Sequence, residues 1–169
     1  MKALPICKAD VVSGFLCRNC QKRLDVGEIT EFEIDLAKDL LKLEEQEEYN
    51  FLKEVSFYKA IDFDDVVILE VGQKDKLKIS NSLINRIKKT YEIKQIIFVE
   101  KTKKPRPIVE SLISPSKLIS LNEIFLATGD IEFKAILRKE DKDSILFTGE
   151  ELEELINELT GTITRVEFE

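Results

Sequence analysis

Apolar positions recur at two periods along the chain, and the switches between them set the order of elements. Thr30-Glu31-Phe32-Glu33 is a capping box, and Phe32, Leu36, Leu40 and Leu43 return every three or four residues behind it. A helix is therefore predicted from Glu31. Tyr49, Phe51, Leu52 and Val55 extend the helical reading, long or broken, to about residue 55. The pattern then changes. Phe57-Tyr58-Lys59-Ala60-Ile61 and the β-branched run Val66-Val67-Ile68-Leu69-Glu70-Val71 predict two strands, with a turn over 62–65 and a stop at Gly72. Residues 74–91 read as helical, with Leu77, Leu83, Ile84, Ile87 and Tyr91 on the apolar side and a polar break at Ser80-Asn81-Ser82. Ile96-Ile97-Phe98-Val99 is a further buried strand. A basic, proline-bearing loop over 101–107 follows, then a short helix over 108–113 stopped by Ser114-Pro115.

The last third repeats both periods. Residues 117–126 read as a strand, Thr128-Gly129-Asp130 as a hairpin turn, and residues 131–137 as the returning strand. Thr148-Gly149-Glu150-Glu151 is a second capping box, Leu152, Leu155, Ile156 and Leu159 line its helix, and Gly161 closes it. Residues 162–168 form a final strand. No internal repeat and no long linker is legible. The expected class is α+β, in four parts: a small N-terminal knuckle over 1–28, an acidic helical connector over 29–55, an α/β domain over 56–115, and a C-terminal α/β part over 116–169.

Length and composition narrow the field. The chain has 169 residues, 43% apolar and 35% charged, enough to bury a core and too apolar for disorder. No apolar run is long enough to span a membrane, and Met1 to Cys7 lack a signal-peptide core, so a cytoplasmic protein is expected. There is no histidine. Ser-His-Asp and Cys-His triads, imidazole acid–base catalysis and histidine-ligated metals are thereby excluded. The acidic turn Asp62, Asp64, Asp65 reads as turn chemistry, no motif sets a nucleophile beside a base, and a non-enzymatic protein with no small-molecule substrate is expected.

All three cysteines fall in the first twenty residues, as Cys7, Cys17 and Cys20. Three is an odd number, so a disulfide framework is not expected. Cys17-Arg18-Asn19-Cys20 is a CxxC, whose spacing lets two thiolates converge on one tetrahedral ion. Asp10 stands where a second CxxC would place its partner, giving C-x2-D-x6-C-x2-C over Cys7, Asp10, Cys17 and Cys20. A carboxylate is a sound zinc ligand, so a structural zinc site is the leading reading; metal-free packed thiols and a redox pair are the alternatives. A zinc deaminase is excluded, because Ala9 stands where its glutamate belongs and Leu16 where its proline belongs.

Charge adds a second feature. The net charge is −7, yet residues 74–106 hold eleven basic and three acidic residues, a local +8 against −15 for the rest. The cations are Lys74, Lys76, Lys78, Arg86, Lys88, Lys89, Lys94, Lys101, Lys103, Lys104 and Arg106. An island of this sign on an acidic chain suggests a polyanion site, the alternative being a solvated lysine face. Residues 31–54, with nine acids and three bases, read as a solvated helix face.

The order strand, helix, polar break, helix, strand over 66–99 is the layout by which a KH module holds single-stranded RNA, with a GxxG loop at the break. Here the break carries Ser80, Asn81 and Ser82 in place of glycine, small side chains with hydrogen-bond donors for phosphate. At this point the chain resembles the small archaeal NusA-like proteins that join a zinc knuckle to KH-type domains. The resemblance rests on Pro5-Ile6-Cys7, on the run from Ser13-Gly14-Phe15-Leu16 through Cys17-Arg18-Asn19-Cys20-Gln21-Lys22-Arg23-Leu24-Asp25, and on Gly27-Glu28-Ile29-Thr30. Phe57-Tyr58-Lys59-Ala60, the strand from Val66 to Gly72 and the close from Leu152 to Val166 continue it. Members of that family usually carry four cysteines and a glycine-bearing loop, so Asp10 and Ser80-Asn81-Ser82 are departures.

The resemblance implies a factor of the transcription or translation machinery that binds RNA, single-stranded or ribosomal. A degenerate KH-like domain over 56–115 would do so, and 116–169 would be a second such unit or an extension of its sheet. Lys74, Lys76, Lys78, Ser80, Asn81, Ser82, Arg86, Lys88, Lys89, Lys101, Lys103, Lys104 and Arg106 are the expected contacts. Tyr91 and Phe98 read as core, which leaves few platforms for base stacking. The alternative is a docking factor on RNA polymerase or a ribosomal subunit whose KH-like domain has lost its RNA clamp.

Overall fold

The computed structural model describes residues 1–169 and divides them into two compact units, Met1–Glu100 and Lys101–Glu169. The class is α+β. The first unit opens with two short helices, α1 (Lys8–Ser13) and α2 (Arg18–Asp25), followed by α3 (Glu31–Glu44) and a 3₁₀ segment over Glu47–Glu54. Then come β1 (Phe57–Phe63), β2 (Val66–Val71), a 3₁₀ turn at Asp75–Lys78, α4 (Asn81–Thr90) and β3 (Gln95–Glu100). The second unit runs α5 (Pro105–Ile113), β4 (Leu118–Phe125), β5 (Ile131–Leu137), a 3₁₀ turn at Lys139–Asp141, α6 (Gly149–Thr160) and β6 (Thr164–Phe168).

From α3 onward the two units have the same plan. Each is helix, strand, strand, 3₁₀ turn, helix, strand, the first adding the 3₁₀ segment Glu47–Glu54 before its first strand, with a three-stranded sheet of order β1-β2-β3 in one and β4-β5-β6 in the other. In each, the first two strands pair antiparallel through a short turn, and the second and third pair parallel. A parallel pair needs a crossover, which α4 and α6 supply. Even the irregularities coincide: the register slips between Phe57 and Lys59 in β1, and between Leu118 and Ser120 in β4. The chain is thus duplicated in structure, where no repeat is legible in its sequence.

The first core gathers Leu36, Ala37 and Leu40 of α3, Leu52, Phe57 of β1, Val67 and Leu69 of β2, and Leu83 and Ile87 of α4. Ile6, Cys20 and Ile29 belong to the same buried cluster, so the N-terminal knuckle is packed on this unit. The second core is built from Ile108, Val109, Leu112 and Ile113 of α5, Ala135 and Leu137 of β5, and Leu152, Leu155 and Ile156 of α6.

Both capping boxes form, at Thr30–Glu33 and Thr148–Glu151. Glu33 does more than cap. Its side chain is buried, one oxygen accepts the Thr30 N–H at 2.8 Å, and the other accepts the Ala60 N–H of β1 at 2.8 Å.

The helical reading over 31–55, long or broken, is of the broken kind: it divides at Glu44, because Gln46 is extended and Tyr49 leaves helical angles within the 3₁₀ segment. Two sequence expectations are corrected. The expected loop over 101–107 is in part helix: Pro105 opens α5, where its fixed φ suits the first turn and its missing N–H costs nothing. α5 packs against α6 and β4, so it sits in the second unit rather than with residues 56–100. The front of the chain is helical at α1 and α2, elements too short to show a period.

Candidate metal centre and cationic helix

Each short helix at the front is opened by a cysteine. Cys7 precedes α1 and Cys17 precedes α2, both in extended conformation. The Cys17 sulfur accepts the Cys20 N–H at 3.5 Å, which turns the CxxC back on itself. Asp10 lies within α1, buried, and its carboxylate accepts the Cys17 N–H at 3.0 Å, so it ties the two helices together. Gly14 takes a positive φ of 76° where α1 ends, allowing the chain to reverse.

These turns bring four donor atoms to one place. One ligand atom each from Cys7, Asp10, Cys17 and Cys20 lies within 4.8 Å of all the others. The Cys7 and Cys20 sulfurs are 3.7 Å apart. Two thiolates at about 2.3 Å from a tetrahedral ion would stand roughly 3.8 Å apart. The donors therefore suit one ion held by three sulfurs and an oxygen. They are too close together to surround an iron–sulfur cluster, whose ligands sit outside several metals.

The carboxyl and the buried thiol of the cluster are shifted in opposite directions. Hydrogen bonds from the Cys20 thiol and then from the Cys17 N–H hold the Asp10 carboxyl below its usual range. Burial, first of all, pushes the Cys20 thiol up to about 12. A buried neutral thiol beside a buried carboxylate is what a bound cation would change, by displacing the thiol proton.

The expected polyanion residues are distributed over both units. Lys74, Lys76, Lys78, Ser80, Asn81, Ser82, Arg86, Lys88 and Lys89 belong to the first; Lys101, Lys103, Lys104 and Arg106 belong to the second. The polar break is not an open loop. Ser80 is the N-cap of α4, its hydroxyl oxygen accepting the Leu83 N–H at 3.3 Å, and Asn81 and Ser82 are the first helical residues. The Ser82 hydroxyl donates to the Glu48 carboxylate and contacts the Tyr49 hydroxyl at 3.0 Å. An acidic group thus already holds the side chain expected to meet phosphate. Lys78 is also engaged, donating to Asp75 at 2.8 Å and to the Glu54 carbonyl at 3.0 Å. Arg106 pairs with Glu110 at 3.4 Å within α5.

Outward cations remain in both units: Lys103 and Lys104 are exposed in the second, and in the first they lie on α4 and the turn before it. Lys76, Arg86 and Lys89 are exposed and Lys88 is half-buried. The corresponding helix of the second unit has the opposite character: α6 carries Glu150, Glu151, Glu153, Glu154 and Glu158 and no cation. Sequence reasoning missed Glu48 and Asp75 as the groups that engage Ser82 and Lys78. Lys78 lies three residues from Asp75, but nothing local shows that Asp75 is buried against the Ser56 N–H at 2.8 Å.

Fold and cluster together define an α+β chain of two like units with a cysteine–carboxylate cluster at its front. No protein-family model and no curated protein matches it. Among solved structures it is similar to the crystal structure of APE1850, with a TM-score of 0.50 and 18% identity, over 71% of this chain and 93% of that one. Likeness at that identity is a likeness of fold, and it does not assign the chain to the KH or NusA-like proteins. No helix is long and apolar enough to cross a membrane.

Proposed function

We propose that this is a non-enzymatic RNA-binding factor of the transcription or translation machinery, with a structural zinc ion in its knuckle and phosphate contacts from α4. The observation that carries the reading is the pair of units with a strand–turn–helix–strand core, the first of which presents Lys76, Arg86, Lys88 and Lys89 around its crossover helix. The KH layout of strand, helix, break, helix, strand is approached here with the 3₁₀ turn at Asp75–Lys78 in the place of the first helix. Ser82 and Lys78 are engaged internally, so the contacts are assigned to the outward cations rather than to a loop clamp. Zinc fits because three thiolates with one carboxylate, converging on a single point, form a closed tetrahedral set that leaves no open position for chemistry.

The test is binding of labelled single-stranded RNA as salt is varied. Affinity should fall steeply with salt, and Lys88→Glu with Lys89→Glu should weaken it at least tenfold with no change in the melting temperature. Unchanged affinity at moderate salt would remove α4 from the interface.

One observation favours a second reading, a docking factor on RNA polymerase or a ribosomal subunit. The second unit keeps the fold but has an acidic helix where the first has a basic one. Sedimentation of the native protein from a low-salt lysate separates the two readings. An association that survives ribonuclease, with binding to free RNA weaker than the usual non-specific range of about 10⁻⁴–10⁻⁶ M, would favour docking.

A further inference from the structure

α3 and α4 do not close completely against each other. A cleft of about 270 Å³ remains between them, with Leu40, Leu43 and Ile87 among its lining residues. Gln46, Arg86 and Thr90 line it with polar groups, and none of these three side chains has a hydrogen-bond or ionic partner within the protein. At one end the Tyr91 hydroxyl donates to Asp39 at 2.6 Å, and Lys42 stands 3.7 Å from the same carboxylate, so the acid in the cleft is already answered. An apolar floor with a few convergent, unused polar groups is the usual character of a small-ligand site.

We infer that this cleft receives one nucleobase of an RNA strand whose phosphates lie along α4. The inference rests on the RNA reading above and specifies where a base, rather than the backbone, is held. Three features point to that occupant. The volume lies just below the about 300–1,000 Å³ of sites for larger ligands, which suits a single planar ring system. The cleft borders the basic helix, and Arg86 belongs to both: its guanidinium can stack on a base or fork onto a phosphate. Glu45 and Glu47, both exposed, flank the lining residue Gln46 in the chain. They disfavour phosphate beside Gln46 but not a neutral base, so the backbone is assigned to α4 and only the base to the cleft. The amide of Gln46 and the hydroxyl of Thr90, each both donor and acceptor, are left for its edge.

The experiment compares a labelled single-stranded RNA with an abasic strand of the same length and charge, at low salt. The wild-type protein is expected to bind the base-bearing strand about tenfold more tightly, the scale of one well-held base. Gln46→Phe with Thr90→Phe, both exposed positions, should fill the cleft and abolish that preference while leaving the abasic affinity unchanged. Circular dichroism would check that the variant is folded. Arg86→Lys, which keeps the charge, should keep the abasic affinity and lose part of the preference. Equal binding of the two strands by the wild type would overturn the inference, and so would a preference that survives filling or a filled variant weakened equally for both strands. In those cases the phosphate contacts of α4 would stand. Binding of neither strand by the wild type would instead overturn the RNA reading and this inference with it.

Discussion

At the scale of single residues, Asp10 decides how the knuckle works. It stands within reach of three sulfurs, yet it also accepts the Cys17 N–H, so it positions the CxxC whether or not a metal is bound. With the proposed zinc site, Asp10→Ala is expected to reduce metal retention against a competing chelator, and Cys17→Ser to reduce it further, because a thiolate is lost from a mainly sulfur site. Metal content per chain after buffer exchange checks both; retention unaffected by Asp10→Ala would exclude it as a ligand. Asp75 is the other decisive carboxylate. Burial works to raise it, but Lys78 and the Ser56 N–H together hold it below its usual range. Gly72 lies against it so closely that a Cβ there would stand 2.3 Å from its Oδ2. A carboxyl whose folded pKa is depressed stabilises the fold above its unfolded value, and that stability is lost as pH falls through the folded value. Asp75→Ala should therefore cost about 1–3 kcal/mol at neutral pH, and the gap from wild type should narrow as the pH drops below about 4. Urea titrations at several pH values would show it, and a gap independent of pH would contradict the ionic role.

At the scale of elements, a carboxylate links the main helix to its sheet. Glu33 sits at the third position of α3, caps the helix with one oxygen and satisfies the Ala60 N–H of β1 with the other. The capping pattern was legible in four residues; the bond to β1 was not, because its partner lies twenty-seven residues away. Glu33→Ala removes the reciprocal cap and leaves a buried N–H without an acceptor. It is expected to cost about 2–3 kcal/mol, more than the about 1 kcal/mol expected of Thr30→Ala, which loses the cap alone. Equal losses from denaturant midpoints would mean that the contact to β1 contributes nothing. The crossover helices make a complementary point. α4 and α6 hold the same place in their units, yet one is basic and the other acidic. Their common role is set by apolar spacing, Leu83 and Ile87 in one and Leu152, Leu155, Ile156 and Leu159 in the other. Their outward faces were free to diverge.

At the scale of the whole molecule, the cysteine–carboxylate cluster belongs to the first unit. Cys20 is buried in the first core with Ile6 and Ile29, and all four candidate ligands lie within Met1–Glu100. Stripping the metal with a chelator is expected to lower the melting of Met1–Glu100 and to leave that of Lys101–Glu169 unchanged. Hydrogen exchange read separately over the two units would detect it: faster exchange in α1, α2 and α3 without change in α5 and α6. Equal loosening of both units would mean that metal binding stabilises the chain as a whole.

Most elements could be read from sequence because apolar period and caps are local properties. Strands at β2, β3 and β5, the capped helices α3 and α6, and the polar start of α4 all follow from residues within a few positions of one another. The four candidate ligands were legible for the same reason, since CxxC spacing and the Asp10 offset are short-range. What only the tertiary structure decided involves partners far apart in the chain. The duplication emerged there because a shared fold needs the same order and pairing of elements, not the same residues. Glu48 reaches Ser82, Asp75 reaches Ser56, and Gln46 and Arg86 line one cleft, and no local pattern encodes such pairs. Charge along the sequence located the basic island. Folding decided which of its cations are already satisfied, because a side chain's partners depend on where the rest of the chain is packed.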